Sequence, residues 1–173
     1  MQRAVISEES ARHIRLEYGD IRTIATGSPE IIFNGNLTVD LGGVTCELRH
    51  VGGDHAADSC ILYVPEDKVL FLGDALGPSV YGGPRKYTSG SFLRLLEIAY
   101  SYDTEWIVES HSVPLNSRDF RADLAPWERL ARLVDVFGPH RDRVLQELKD
   151  YLKLDELPED LLHGLEYFMA GFK

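Results

Sequence analysis

Two histidines and one aspartate stand where strands meet loops. His55 follows Gly52, Gly53 and Asp54 in a loop after a strand-like run. Asp74 comes directly after Gly73, at the end of the apolar arm Val69–Leu72. His111 closes the short apolar run Trp106–Val108, behind Glu109 and Ser110. Imidazole nitrogens and carboxylate oxygens are suited to a zinc-like ion. An acid at the end of a buried strand is costly unless it is paired or ligating. Parallel and mixed sheets gather such junctions at one edge. The spacing is wide, and by itself it equally suits a soluble α/β domain with three unrelated polar residues. His13, His140 and His163 fall on helical or helix-edge stretches and read as ordinary surface residues. No P-loop, dinucleotide fingerprint or EF-hand pattern occurs.

The elements around these residues follow from periodicity. Arg3–Ile6 reads as a short strand, and Ser7 as an N-cap for a helix over Glu8–Ile14, ended by Gly19-Asp20. Ile21–Ala25 suits a strand or extended loop. Glu30–Phe33 reads as a strand, with Asn34-Gly35-Asn36 as a hairpin turn. Leu37–Leu41 and Val44–Val51 follow. In the second, Thr45, Glu47 and Arg49 alternate with Val44, Cys46 and Leu48, the mark of a sheet wet on one face. Cys46 reads there as a small core residue. Cys60–Val64 and Val69–Leu72, joined by Pro65-Glu66-Asp67-Lys68, make a hairpin with two apolar arms. Gly77–Gly90 is a long loop. Phe92, Leu95, Leu96 and Ala99 give Ser91–Tyr102 a helical face. Trp106–Val108 is a strand. Helices are expected over Pro126–Phe137, Arg141–Tyr151 and Leu157–Phe168, the last with Pro158 in its first turn. Trp106 and Trp127 are expected to be packing residues.

Composition bounds the function. The 173 residues suit a single domain, 1–173, with a sizeable core. Eighteen Lys and Arg against 28 Asp and Glu leave a formal charge of −10. Electrostatic capture of nucleic acid or an anionic membrane is therefore disfavoured. No apolar run reaches the roughly 18 residues of a membrane span. Nor does MQRAVISEES hold the apolar centre of a secretion signal. Two cysteines make neither a disulfide scaffold nor a metal knuckle. A cytoplasmic protein is expected.

The block from His50 to Ser59, followed by Leu62–Asp74 with its Pro-Glu-Asp-Lys turn and Phe-Leu-Gly-Asp ending, resembles the middle of the metallo-beta-lactamase superfamily. The later Ser110-His111 strengthens the match, which covers about residues 4–118. The resemblance implies an α+β fold, a four-layer αβ/βα sandwich, with a C-terminal helical part over about 119–173. It implies that His55 and His111 each hold one of two zinc ions, with Asp74 bridging them and orienting the attacking water. His50, Asp54 and Asp58 become candidates to orient the imidazole of His55, or else plain strand-end and loop-capping residues. Tyr81, Arg85, Lys86 and Tyr87 lie in the loop that overhangs the site in this family. They become candidates for substrate contact, or a solvated loop tip.

The earlier His-x-His-x-Asp-His motif of the family has no counterpart here, so the chain resembles an N-terminally truncated member. Each metal position is then two ligands short. Two readings follow. One is a metal-dependent hydrolase acting on a small-molecule substrate through a metal-activated water. The other is a non-catalytic remnant or fragment, with a weak single zinc site or none, acting through itself or a partner. Missing strands imply an exposed sheet edge, and hence a homodimer or larger assembly.

Overall fold

In the computed structural model, residues 8–19, 27, 29–80 and 83–172 are described. The strand expected at Arg3–Ile6, the cap Ser7, the segment Ile21–Ala25 and Tyr81 lie outside them. The chain divides into two compact units, residues 1–32 and 33–173.

The first unit contains helix α1 (Glu8–Tyr18), one turn longer than its apolar spacing suggests. Gly19, at φ 75°, ends it, donating its N–H to the carbonyl of Arg15 at 2.9 Å. Glu30–Phe33 is not a strand. Ile31 and Ile32 are exposed, and an apolar run without a laddered neighbour among the described residues leaves a strand unmade.

The second unit is built on one six-stranded sheet whose spatial order is the chain order: β1 (Asn36–Asp40), β2 (Thr45–His50), β3 (Cys60–Val64), β4 (Val69–Gly73), β5 (Trp106–Glu109) and β6 (Leu115–Asn116). Strands β1 to β4 form an antiparallel meander. Asn34-Gly35 is a bend leading into β1 rather than a hairpin turn, since no strand precedes it among the described residues. The first hairpin turns instead at Gly42-Gly43, closed by the Leu41 N–H to Val44 carbonyl bond. Helix α2 (Ser89–Tyr100) then crosses over so that β5 runs parallel to β4. Of the four layers expected, this unit supplies the sheet and the helices packed on it.

Helix α3 (Ser117–Phe137) begins nine residues earlier than the Pro126 start expected from sequence. Asn116 explains this: its side chain accepts from the N–H of Asp119 and caps the helix there, leaving Pro126 inside. Helices α4 (Arg141–Leu152) and α5 (Glu159–Gly171) follow, Pro158 standing just ahead of α5. One core joins Ile61, Tyr63, Leu70, Leu72 and Ile107 of the sheet to the apolar faces of α2 to α5. Phe92, Leu95, Leu96 and Ala99 are buried, as their spacing requires. Trp127 packs on Tyr87 and against Gly164, where a side chain would collide with the indole. Trp106 does not pack between helices: it is 47% exposed, on the sheet face turned away from them. Cys46 shares that face and is half-buried outside the helix-side core.

Candidate metal centre

Strands β2, β4 and β5 point the same way, so their C-terminal ends share one sheet edge. His55 lies in the loop leaving β2, Asp74 just beyond β4, and His111 just beyond β5. The ladder between β4 and β5 shifts register between Phe71 and Gly73. Gly73 takes φ 56° there, which re-aims the following residue. The N–H of Ser110 then bonds the Gly73 carbonyl at 3.2 Å, holding the two strand ends together.

The three residues singled out from sequence meet at Asp74. His55 Nε2 stands 3.6 Å from its Oδ2, and His111 Nε2 stands 3.2 Å from its Oδ1. Two donors sharing a tetrahedral zinc, each about 2.0–2.1 Å from it, are separated by about 3.3 Å. Each imidazole–carboxylate pair therefore has the spacing of two ligands of one ion. The count is what fails. Each side of Asp74 offers one imidazole and one oxygen, where a catalytic zinc takes three protein ligands. Among the described residues, no group of three or more His, Cys, Asp or Glu is placed to hold a metal.

The two flanks also differ in construction. His111 is 89% exposed, whereas the side chain of His55 is 22% exposed. Nδ1 of His55 is buried without a hydrogen-bond partner among the described residues. A ligating histidine ordinarily donates from its second nitrogen to a carboxylate or carbonyl. A proton on Nδ1 here would be buried with no acceptor, at a cost of about 1–3 kcal/mol. In either tautomer Nδ1 lacks the partner that ordinarily fixes the orientation of a ligating imidazole. The residues present do not fit a complete metal centre.

The residues expected around His55 take other parts. Asp54 does not reach its imidazole. It accepts from the N–H of Thr88 at 2.7 Å and from the Thr88 hydroxyl, and so serves the first turn of α2. Asp58 is exposed, and its carbonyl accepts from the Cys60 thiol at 3.4 Å. His50 bonds the Ala57 carbonyl at 2.9 Å through Nε2, closing the base of the loop. Lys86 is exposed, its N–H donating to the Ser79 hydroxyl. Tyr87 is a core residue, not a loop tip. It is 7% exposed, stacks on Phe168 at 4.9 Å and bonds the Tyr167 carbonyl through its N–H. Burial pushes its phenol well above the ordinary range, and the Glu109 carboxylate adds to this.

Three contributors have no legible motif. Arg94 on α2 donates to the Val51 carbonyl at 2.6 Å, pinning the loop from the helix side. Gly77 sits where a Cβ would lie 2.8 Å from His55 Nδ1 and 3.0 Å from the Asp74 carbonyl. Glu109 stands at the end of β5, its carboxyl raised above the usual range chiefly by burial, with the Ser112 hydroxyl opposing. Gly52 and Gly53 have positive φ, as a tight loop start requires.

No protein-family model matches the chain. The metallo-beta-lactamase type 2 of Bacteroides fragilis is 38% identical to it over 45 residues, 26% of this chain and 18% of that protein. The sec-alkylsulfatase Pisa1 from Pseudomonas sp. superposes with a TM-score of 0.50 at 18% identity, covering 78% of this chain and 23% of that one. A double mutant of that sulfatase gives 0.52. The metallo-beta-lactamase from Pontibacter korlensis is 24% identical, with a TM-score of 0.46, over 69% of this chain and 54% of that one. The chain thus spans between 18% and 54% of the length of these proteins. Its mixed sheet flanked by helices matches the αβ/βα sandwich, so this chain has a metallo-beta-lactamase-like fold.

Proposed function

We propose that this chain is a non-catalytic form of the metallo-beta-lactamase-like fold, with weak or no zinc binding, acting through self-association or a partner. The observation that carries this reading is the arrangement at Asp74. Two half-sites of two donors each flank the carboxylate, and no third ligand is placed beside either among the described residues. A two-donor site leaves zinc mostly hydrated, and its affinity falls accordingly. The charge of −10 supports a partner other than nucleic acid or an anionic membrane. The free thiols of Cys46 and Cys60 support a cytoplasmic setting.

A second reading has a specific observation behind it. His55, Asp74 and His111 do converge, with pair spacings that suit shared ions. A polypeptide segment supplying further histidine or carboxylate ligands would complete the count, and the assembly would then be a hydrolase for a small-molecule substrate. One experiment separates the two. The chain is dialysed against micromolar zinc, and bound metal is measured by elemental analysis beside Asp74→Ala. Less than one equivalent in both is expected. Two equivalents in the unaltered chain, lost in Asp74→Ala, would overturn the first reading and install the second.

A further inference from the structure

Two side-chain nitrogens are buried without a hydrogen-bond partner among the described residues. One is His55 Nδ1; the other is Nε of Arg129, on α3. A buried unpaired donor is uncommon and calls for a physical reason. Arg129 is half-buried and lines a groove of about 430 Å³ that shares no residue with the cluster at Asp74. Arg132, Leu133, Val136 and Phe137 continue the groove at helical spacing along α3, with Asp135 beside them, and the lining is mostly apolar. Leu133 is buried and Val136 is exposed. Helix α4 adds two contacts. The Arg129 guanidinium stands 5.5 Å from the centre of the Tyr151 ring, and that of Arg143 lies 4.1 Å over the Phe137 ring. The charges of the groove are unevenly compensated. Arg132 donates twice to the Glu128 carboxylate, at 3.2 and 2.7 Å. Asp135 accepts from the Ser89 hydroxyl. The ion pairs among the described residues leave Arg129 out.

We infer that this groove binds an amphiphilic monocarboxylate, its head on Arg129 and its apolar chain laid over Leu133 and Val136 towards Phe137. A guanidinium partly removed from water has lost hydration that a carboxylate replaces. With Nε covered, the paired Nη groups at the tip of the side chain are the fork left for two carboxylate oxygens. The apolar chain in turn takes the exposed Val136 side chain out of water. Helix polarity sets the direction. The last turn of α3, at Phe137, carries the negative end of the helix dipole and repels an anion there. Asp135 beside the groove opposes a second negative charge on the head, which favours a carboxylate over a phosphate dianion. Eight residue steps separate Arg129 from Phe137, about 12 Å of helix, so a chain of medium length fits. A ligand of about a dozen non-hydrogen atoms binds here with a dissociation constant in the upper micromolar range.

Titration of the full chain at neutral pH with decanoate, decanol, decyl phosphate and acetate tests this, followed by amide nuclear magnetic resonance shifts and by calorimetry. Decanoate should saturate and move the amides of Leu133, Val136 and Phe137. Decanol and decyl phosphate should each bind at least about tenfold more weakly, and acetate should not saturate. Arg129→Gln should bring decanoate down to the affinity of decanol while leaving decanol unchanged. Val136→Asp, at an exposed position, should weaken both. Far-UV circular dichroism confirms that each variant folds. Four results would overturn the inference. One is no saturation by decanoate. Another is shifts that gather away from α3. A third is equal affinity for decanoate and decanol, or full affinity in Arg129→Gln, either of which removes the guanidinium from recognition. The last is tighter binding of decyl phosphate, which excludes the monocarboxylate class. Zinc content is measured separately, so failure here leaves the reading of the metal centre standing.

Discussion

Leu70 and Phe71 are neighbours on one strand and live in different environments. Leu70 is fully buried among the helices, and Phe71, one residue on, is 41% exposed on the opposite face. The same contrast holds along β5, where Ile107 is 3% exposed and Trp106 47%. Both faces of β4 are apolar, so composition does not tell them apart; within the second unit, α2 to α5 pack against one of them. The helix-covered face is where folding free energy is collected. The face away from α2 to α5 holds apolar side chains, Phe71 and Trp106 among them, outside that core.

The comparison can be broken most directly at that neighbouring pair. Leu70→Ala should destabilise the chain by about 2–5 kcal/mol, as a cavity at a closed site does. Phe71→Ala should cost about 1 kcal/mol or less when the protein is dilute. Urea unfolding at a few concentrations reads both, and equal losses would erase the distinction between the faces. Next in size is Gly77→Ala, at about 1–3 kcal/mol. The added methyl must displace His55, which is close-packed on its Nδ1 side. The nuclear magnetic resonance signals of His55 should shift, and those of exposed His111 should not.

Asp54→Ala should cost about 0.5–2 kcal/mol, because it removes the acceptor for both Thr88 donors at the start of α2. Asp54→Asn should recover part of this, and thermal unfolding measures it. The smallest effect concerns alkaline pH. Tyr87 keeps its proton in the folded chain to higher pH than in the unfolded one, chiefly because it is buried. The unfolded chain therefore holds fewer protons above about pH 10, and stability falls as pH rises through that range. Tyr87→Phe should flatten this part of the decline, as followed by unfolding curves between about pH 9 and 11.

Much of the local structure was readable because local rules governed it. The Pro65–Lys68 turn between two apolar arms became β3 and β4, and the 92, 95, 96, 99 spacing became the buried face of α2. Where a neighbour decides the outcome, reading failed. Glu30–Phe33 has the composition of a strand and joins no ladder among the described residues, and Trp106 has the side chain of a core residue on the face away from α2 to α5. Pro126 looks like a helix start only until the Asn116 cap is seen upstream. The placement of His55, Asp74 and His111 at strand ends was legible, and the structure brings both imidazoles beside Asp74. Its supports were not: Arg94, Gly77 and the Asp54–Thr88 contact are joined to it by tertiary approach, and no spacing announces them.

Residue types alone determined that an acid and two imidazoles would stand at loop–strand junctions, because apolar runs punctuated by glycine place the ends of strands. They also determined that alternate positions of β2 would be apolar. Which way those positions point, towards helices or away from them, was decided only when β2 paired with β3 in a particular register. The number of donors beside Asp74 was likewise a matter of distance in space. Alternation specifies that a strand has two faces, and only packing of the assembled sheet determines which of them becomes the interior.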